Sequence, residues 1–376
     1  MTDLQVYWET IGGFRYGVAL LGVLFVGYLY CMVRELYVVW KTSKLPEKGE
    51  EDGVSVIITS HNNSVFLKRN LPSFLMQEYS NYEVIVVDEC SEDDTQEVLA
   101  EIQREYPRLR FTRIYPGTKF RYTKKLAINI GVLAAQHDIL LFSEATCRPA
   151  SLNWVREMQR YFDKETAVIL GLANYDERER DVCWKRYFRF RRFWKMLLLV
   201  RGKQNILGDG CNMAYRKSYY LKNRGFTVNS QAFLGYDNDM VTELSKFGQV
   251  KVVKDPCTYM IVDKNERERT VDEVSYYFAS KIRWSVLQRL RADIHQWIRL
   301  GFYGVGIYLW VMGIFVKPLA GVLLCMFLLD VVLINICARY LKQGGLFMMS
   351  VVEGLIGFGY RGYWNVYSFF NQRKWR

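Results

Sequence analysis

The chain has 376 residues, of which 50% are hydrophobic, and its formal net charge is +12. The length and the apolar content exclude a single small domain and allow a folded core together with membrane segments. The positive charge requires an acidic partner, which can be nucleic acid, anionic lipid or a phosphorylated substrate. Eight cysteines without a paired C-x-x-C spacing, together with three histidines, argue against a zinc site.

The first predicted element is a membrane anchor. Residues 16–33 form an apolar run without charges, close to the ~20 residues that a spanning helix needs, and no small-residue cleavage site follows. Basic residues come directly after it at Arg34, Lys41, Lys44 and Lys48. The positive-inside rule therefore places the next segment in the cytoplasm.

Short β-branched runs alternate with helical patterns from residue 54 to about residue 149. Strands are predicted at 54–58, 83–87, 109–114 and 139–142, and helices at 64–77, 92–105 and 124–136. This alternation is typical of βαβ units with a parallel sheet. Ligands of such sheets bind outside the carboxyl ends of the strands. The sequence therefore predicts one rim that carries His61, Asn62 and Asp88.

Residues 184–203 interleave aromatic side chains with basic ones. A basic helix with a broad aromatic face favours a position on an anionic membrane surface. A charged helix in solvent with one stripe facing the core is the alternative. Residues 276–300 form a second segment of the same kind.

Two further apolar runs, residues 300–316 and 318–338, predict a helical hairpin across the bilayer. Arg299 and Arg339 flank these runs, and their charge places both ends of the hairpin in the cytoplasm.

Asp330 lies in the middle of the second run. An acidic side chain inside a membrane is a functional candidate, and the alternative is that it faces Asn335 or a neighbouring helix. The last apolar stretch, residues 346–370, is interrupted by charges and is predicted to be re-entrant or interfacial.

Residues 54–95 read VSVIITSHNNSVFLKRNLPSFLMQEYSNYEVIVVDECSEDDT and resemble the start of the family 2 glycosyltransferases. The resemblance extends over about residues 53–290. It implies an α/β fold, a Rossmann-like nucleotide-sugar transferase domain of the GT-A type, with N-terminal and C-terminal transmembrane helices. We therefore expect a membrane anchor at 1–40, a glycosyltransferase domain with interfacial helices at 53–290, and a transmembrane hairpin with an interfacial or re-entrant segment at 300–376.

The resemblance implies donor contacts after the first strand. Thr59, His61 and Asn62 stand where relatives have a proline, an aromatic residue and an asparagine. His61 is then expected beside the nucleobase, and a surface loop histidine is the alternative.

Asp88 matches the first carboxylate of the family's VDDGS turn, which here reads VDECS. In relatives this carboxylate accepts from a pyrimidine N–H, so a UDP-linked donor is expected. The alternative role is a helix cap, for which Ser91, with Asp94 three residues later, is better placed.

The segment TKKLAINIG at 123–131 matches the helix that begins beneath the donor phosphates. Lys125 takes the position of the family's cation, and Lys124 stays open as its alternative. The N–H groups at a helix N-terminus also favour a diphosphate.

The segment LLFSEATCRP at 140–149 departs from the family's pattern. Relatives have Asp-x-Asp at this place, and the two aspartates bind a divalent cation that bridges the sugar nucleotide diphosphate. Here these positions are Glu144 and Thr146. Glu144 can ligate Mg²⁺ or Mn²⁺, but threonine offers no charge, so a weak or unusual metal dependence is expected.

Two more segments resemble the part of the family's site beside the sugar. GDGCNMAYR at 208–216 makes Asp209 a candidate sugar contact, with a bulged strand as the alternative. FLGYDNDM at 233–240 puts Asp237 where relatives have the catalytic base, with Asp239 in reserve and a helix cap as the alternative.

Residues 280–284 read SKIRW and match only Arg283 and Trp284 of the Gln-x-x-Arg-Trp found in synthases of long chains. An ordinary Arg and Trp on an interfacial helix is the alternative.

These features predict a membrane-anchored, cytoplasm-facing, inverting glycosyltransferase. Its expected partners are a nucleotide-sugar donor, a lipid-linked or glycan acceptor and the membrane. A processive polysaccharide synthase and a non-catalytic nucleotide-binding or scaffold protein remain alternatives. The basic charge alone also permits a nucleic-acid binder, but the membrane runs argue against it, so no nucleic acid is expected.

Overall fold

The computed structural model describes residues 12–41, 52–115, 124–201, 207–225, 235–264, 290 and 293–370. The chain divides into two compact units. The α/β unit comprises Thr42–Ile282 with Trp364–Arg376, and the helical unit comprises Met1–Lys41 with Arg283–Tyr363.

The described residues contain ten strands and eleven α-helices. The strands are β1 Val54–Ser60, β2 Tyr82–Asp88, β3 Leu109–Arg113, β4 Ile139–Glu144, β5 Cys147–Pro149, β6 Thr166–Leu170, β7 Ala173–Tyr175, β8 Met213–Arg216, β9 Gln249–Val252 and β10 Met260–Val262. The helices are α1 Arg15–Trp40, α2 Ser64–Leu75, α3 Thr95–Glu105, α4 Lys124–Ala134, α5 Trp154–Arg160, α6 Cys183–Arg201, α7 Lys217–Lys222, α8 Tyr236–Leu244, α9 Ile294–Val311, α10 Val316–Tyr340 and α11 Phe347–Phe370.

A seven-stranded sheet in the order β3-β2-β1-β4-β8-β6-β9 forms the centre of the α/β unit. β1, β2, β3 and β4 are parallel to their neighbours among these four, as the alternating pattern predicts. Every residue of β1 and β2 is buried, which explains their continuous apolar runs, because helices cover both faces of a parallel sheet. A second sheet has the order β5-β10-β7.

β8 runs antiparallel to both of its neighbours, β4 and β6. Its amino end therefore lies at the same edge as the carboxyl end of β4, with Met213 paired to Phe142. This reversal brings the glycine-rich segment before β8 to the edge where β1, β2 and β4 end.

The basic and aromatic helix α6 is buried, and this corrects the membrane-surface interpretation. Tyr187, Phe190, Phe193 and Trp194 are each at most 3% exposed, and the Phe193 ring packs edge-on against Tyr259. The interpretation depended on an exposed aromatic face, which α6 does not have. The second segment of this kind, residues 276–300, lies mostly outside the described residues.

The helical unit contains apolar helices that continue beyond the predicted runs. Gly12–Trp40 and Val316–Tyr340 are long and apolar enough to cross a membrane. α9 carries the first arm of the predicted hairpin but begins earlier, at Ile294, and therefore includes Arg299. α11 is continuous, and the membrane arrangement of this helix and of the hairpin stays a prediction.

A charged cluster joins three helices of this unit. Arg299 of α9 lies with its Nη2 2.9 Å from Glu35 Oε2 of α1 and 3.1 Å from Asp330 Oδ1 of α10. The Tyr28 hydroxyl of α1 donates to Asp330 Oδ2. Asp330 thus faces neighbouring helices, one of the two alternatives for this residue, while Asn335 instead donates to the Ser350 hydroxyl (2.9 Å).

His295 extends this cluster toward one end of α1. Its Nδ1 donates to Glu35 Oε1 and its Nε2 accepts from Arg34 Nη1, each at 2.9 Å. A carboxylate can only accept and a guanidinium can only donate, so these contacts select the neutral imidazole with its proton on Nδ1.

Candidate active site at the carboxyl edge of the sheet

Strand register brings the first predicted site residues together. Ser60 pairs with Asp88, and Thr59 pairs with Glu144. The last residues of β1, β2 and β4 therefore meet at one edge, where an open α/β sheet binds its ligands.

The loop after β1 is fastened to the loop after β2. Asn62 has a φ of 52°, its N–H donates to the Ser91 hydroxyl (2.8 Å), and its side-chain oxygen accepts from the Glu92 N–H (2.8 Å). Asn62 thus shapes the rim through contacts that its position in the motif alone does not reveal.

His61 is exposed at this rim. Its Nδ1 donates to the carbonyl oxygen of Glu89 (2.7 Å), and its Nε2 accepts from the Asn62 amide (3.2 Å). These two contacts orient the ring of an exposed residue, which suits an aromatic surface beside a nucleobase.

Asp88 is fully buried and its carboxylate is held on both oxygens. Oδ1 accepts from the Ser91 N–H (3.0 Å), Oδ2 accepts from Gln96 Nε2 (2.6 Å), and Arg113 Nε lies 3.6 Å from Oδ2. The helix after this loop begins at Thr95. Ser91 is therefore not its cap, and Asp88 itself orders the loop that leads into the helix.

Lys124, the alternative to Lys125, lies beside Glu144. The Lys124 ammonium forms an ion pair with Glu144 Oε1. Burial alone would lower the pKa of Lys124, but the carboxylates of Glu144 and Glu89 raise it above its usual value. Lys125, the next residue of the same helix, is buried, whereas Lys124 is partly exposed.

Glu89 is a member of this group that the sequence did not single out. Burial raises the pKa of its carboxyl, the ammonium of Lys124 lowers it, and the neighbouring carboxylate of Glu144 raises it. The Thr59 hydroxyl donates to Glu89. The carboxyl edge thus holds two carboxylates around one ammonium.

The described residues do not fit a divalent cation held by protein carboxylates. Glu144 is already engaged by Lys124, and the Thr146 hydroxyl lies 4.0 Å from the Cys147 sulfur. Within the described ranges, no group of three or more His, Cys, Asp and Glu side chains could hold a metal ion.

A second charged group lies where α6 meets the start of α8. Arg192 Nη2 is 3.0 Å from Asp237 Oδ2, and Arg192 Nη1 is 3.9 Å from Asp209 Oδ2. Arg189 Nη1 adds a contact to Asp209 at 3.7 Å. Both aspartates are buried, and both contact arginines on one face of α6.

The two carboxylates differ in their protonation equilibria. Burial alone would raise the pKa of Asp209, but Arg192 and Arg189 hold it below its ordinary value. Burial raises the pKa of Asp237, Arg192 lowers it and the charge of Asp209 raises it, so the net shift is upward. Pairs of carboxyl groups whose pKa values are driven apart are a mark of acid and base roles.

Two glycines allow the segment before β8 to pass close to α8. A Cβ atom on Gly208 would lie 2.7 Å from the carbonyl oxygen of Asp237, and one on Gly210 would lie 2.2 Å from the Tyr236 hydroxyl. The Gly208 N–H donates to Asn238 Oδ1 (2.9 Å). The glycine-rich segment is thus needed for contact with the helix that carries Asp237.

Tyr236 connects the two charged groups. The Lys124 ammonium lies 5.6 Å from the centre of the Tyr236 ring, within the range of a cation–π contact. The structure therefore brings Thr59, His61, Asn62, Asp88, Glu144, Asp209 and Asp237 into one continuous region. Arg283 and Trp284 lie outside the described residues.

Sequence reasoning missed Arg189 and Arg192. They occur with Arg186 at a spacing of three residues, which places them on one side of a helix. That spacing was the available signal, and the surrounding aromatic residues hid it by suggesting a membrane surface.

Comparison with known proteins agrees with this fold. Residues 55–223 match the description "Glycosyl transferase family 2". An uncharacterized glycosyltransferase of Nostoc sp. is 30% identical over 124 residues, 32% of this chain and 36% of that protein. One of Bacillus subtilis is 31% identical over 137 residues, 36% of this chain and 31% of that protein. The aligned part is thus about a third of each relative's length.

A mannosyltransferase from Pyrobaculum calidifontis, solved in complex with GDP-Man and Mn²⁺, has a TM-score of 0.56 and 16% identity. The similarity covers 90% of this chain and 97% of that chain, and at this identity it concerns the fold alone. The expected α/β fold of GT-A type is confirmed. The expected resemblance to glycosyl transferase family 2 is confirmed over residues 55–223, which are less than half of the chain.

Proposed function

We propose that this protein is a membrane-anchored inverting glycosyltransferase that moves a sugar from a nucleotide-diphosphate donor to a membrane-associated acceptor. The observation that supports this most is the buried Asp237 in the first turn of α8. Its helix contacts the glycine segment that leads into the sheet edge. Asp237 lies beyond the family match, which ends at residue 223, so its role rests on geometry and on the resemblance of its segment.

The donor is a sugar nucleotide bound across the ends of β1, β2 and β4. His61 offers an exposed ring for the nucleobase, and Asp88 fixes the loop that borders it. A UDP-linked donor follows from the resemblance, whereas the mannosyltransferase of similar fold was solved with GDP-Man. Both nucleotides therefore belong in a donor screen.

In the proposed reaction, an acceptor hydroxyl gives its proton to the Asp237 carboxylate while its oxygen attacks the anomeric carbon. The bond from that carbon to the diphosphate oxygen breaks on the opposite side, so the configuration inverts. The leaving nucleoside diphosphate gains negative charge. The ammonium of Lys124, the neighbouring Lys125 and the start of α4 provide positive charge at that end.

No step of this reaction is assigned to a metal. The mannosyltransferase neighbour holds Mn²⁺, but Glu144 is bound to Lys124 here and Thr146 carries no charge. A cation that enters with the donor would have the diphosphate oxygens as its main ligands, and Glu144 would have to leave Lys124 to join them.

The membrane is part of the proposal because of the two apolar helices Gly12–Trp40 and Val316–Tyr340. The basic residues next to them support a cytoplasmic position for the α/β unit. A net charge of +12 suits an acceptor that carries a lipid phosphate. The acceptor is therefore proposed to be lipid-linked or a glycan at the membrane.

A non-catalytic, nucleotide-binding protein is the second candidate. The ion pair between Lys124 and Glu144 favours it, because this pair stands where family members hold their cation. A processive synthase depends on Arg283 and Trp284, and no contact of the described residues supports it.

The test is a screen of UDP-linked and GDP-linked sugars with membranes that contain the full chain. Release of nucleoside diphosphate, dependent on the chain and on one donor, is expected. Binding of a nucleotide without release from any donor would favour the non-catalytic candidate. Products of many added sugars, separated by size, would favour the processive synthase.

A further inference from the structure

The basic helix α6 supplies two arginines to the candidate site, and one of them, Arg192, contacts Asp237. Arg192 donates to the carbonyl oxygen of Gly208 and lies 3.0 Å from Asp237 Oδ2. It therefore contacts both the glycine segment and the first turn of α8. Its side chain is only 11% exposed, so water weakens these contacts little.

Asp237 is also fixed from its own helix. Its Oδ1 accepts from the Asn238 N–H (3.0 Å), and Asn238 Oδ1 accepts from the Gly208 N–H (2.9 Å). Arg192 and the Asn238 N–H thus hold one oxygen each. The carboxylate has a defined direction, which a general base needs in order to reach its proton.

The two arginines are divided unequally between the two aspartates. Asp209 has Arg189 at 3.7 Å and Arg192 at 3.9 Å, while Asp237 has Arg192 at 3.0 Å. Among the groups that act on Asp237, Arg192 is the one that favours its charged form most strongly. Loss of Arg189 should therefore affect Asp209 first, and loss of Arg192 should affect Asp237.

We propose that Arg192 is a positioning residue that keeps Asp237 ionised and directed for proton abstraction. This inference rests on the proposed function, in which Asp237 is the base. In this proposal, Arg192 acts on the reaction only through Asp237. Within the described ranges, the charged groups that act on Asp237 are Arg192 on α6 and Asp209 before β8, and Asp239 lies in the same first turn of α8. Asp209 in turn contacts Arg189 and the Cys211 N–H.

The pH dependence follows from the sign of this interaction. A base must be ionised, so the transfer rate falls as the pH drops through the pKa of Asp237. An arginine within about 4–6 Å lowers a carboxyl pKa by about 1–3 units. Arg192→Gln should therefore move the acid limb of the rate profile upward by about 1–3 pH units, and Arg192→Lys should move it less.

Thermal unfolding provides a second readout that needs no substrate. In Arg192→Gln the buried Asp237 loses its counter-charge, which destabilises the protein only while Asp237 is ionised. The unfolding midpoint of the full chain in detergent should fall more at pH 8 than at pH 5. Asp237→Asn in the same chain should remove this difference, because the amide does not titrate.

Arg216→Gln is the matched control. Arg216 Nη1 lies 3.1 Å from Asp138 Oδ2 at the opposite edge of the sheet. Asp138 is half-exposed, so the effect of this change should be equal at pH 5 and pH 8.

The experiment measures unfolding midpoints of these variants at both pH values, together with the pH profile of transfer from whichever donor the screen identifies. A pH-dependent loss in Arg192→Gln that disappears with Asp237→Asn supports the inference. An equal loss at both pH values, or an unmoved acid limb, overturns it. The unfolding midpoints test the charge interaction between Arg192 and Asp237 even if the protein turns over no donor. Failure of the proposed function is therefore distinguishable from failure of this inference.

Discussion

Two buried clusters of this chain share one composition but stand in different surroundings. In the α/β unit, Arg192 lies between Asp209 and Asp237. In the helical unit, Arg299 lies between a glutamate and Asp330. Each cluster sets one arginine between two carboxylates, so composition alone does not distinguish their roles.

Placement distinguishes them. The cluster of Arg192 lies at the start of a helix and beside two glycines, at the edge where three parallel strands end. The cluster of Arg299 connects three long helices, and the Tyr28 hydroxyl adds a further link to Asp330. We infer that the first cluster prepares a base for chemistry, whereas the second holds apolar helices together.

The largest effect is expected for the base itself. General-base catalysis contributes about 10²–10⁴-fold, so Asp237→Asn should reduce single-turnover transfer by about that factor. Donor affinity should survive, since the amide keeps the size of the side chain. Asn caps a helix about as well as Asp. If Asp237 were only a helix cap, the substitution would therefore leave the transfer rate unchanged.

Asp239→Asn is the control for this change, because Asp239 occupies the same first turn. It should keep most of the transfer rate. Loss of transfer in this control, with near-normal transfer in Asp237→Asn, would move the role of base to Asp239.

The second largest effect is expected for the cluster of Arg299 in the helical unit. Arg299→Gln leaves Glu35 and Asp330 without their shared counter-charge, and breaking a buried ion pair in this way costs about 3–5 kcal/mol. The free energy of unfolding, measured by denaturant titration in detergent, should fall by that amount. Arg339→Gln, at the exposed end of α10, should change it by about 0.5 kcal/mol or less. Equal effects of the two changes would speak against the cluster as a structural link.

Asp88→Ala tests the proposed donor-binding rim of the α/β unit, which carries His61, Asn62 and Asp88. The Ser91 N–H and the Gln96 amide donate to its carboxylate, and loss of a buried acceptor costs about 1–3 kcal/mol. Nucleotide affinity, measured by calorimetry with UDP and with GDP, should fall by this amount. If Asp88 acts by ordering the loop, Gln96→Ala should weaken binding as well. Unchanged affinity in Asp88→Ala would remove this residue from the donor site.

The smallest effect is expected at Thr146. Thr146→Asp restores a second carboxylate, but Lys124 still occupies Glu144, so the gain in Mn²⁺ affinity should be on the order of 1 kcal/mol, as for other partly exposed charge pairs. Thr146→Asn controls for size without charge. If the Asp and Asn variants bind Mn²⁺ equally in a calorimetric titration, this position is not a degraded metal ligand.

The sequence could predict the strands and the donor rim because their signals are local. The β-branched run from Val54 and the turn at Asp88 are recognisable from neighbouring residues alone. The register that aligns Ser60 with Asp88 follows from parallel pairing of the two strands. Lys124 was open as an alternative, but only the fold could show that it contacts Glu144.

The two charge clusters could not be predicted, because their members are far apart in the chain. Arg192 and Asp237 are 45 residues apart, and the basic, aromatic composition around Arg192 indicates a membrane surface as readily as a buried helix. The sequence marks Asp330 as unusual, but it identifies Arg299 only as a charge that flanks an apolar run. Tertiary contacts alone decide both cases.

The most direct measurement compares one matched substitution in each cluster. Asp237→Asn and Asp330→Asn remove the same charge from a carboxylate beside a buried arginine. For each variant, the transfer rate per folded molecule and the unfolding midpoint are measured on the full chain in detergent. Each substitution leaves a buried arginine with one carboxylate fewer, so both variants should have a lower midpoint. We predict that Asp237→Asn loses transfer per folded molecule, while Asp330→Asn keeps it. Normal transfer per folded molecule by Asp237→Asn, or loss of transfer by Asp330→Asn, would contradict the assignment of chemistry to one cluster and structure to the other.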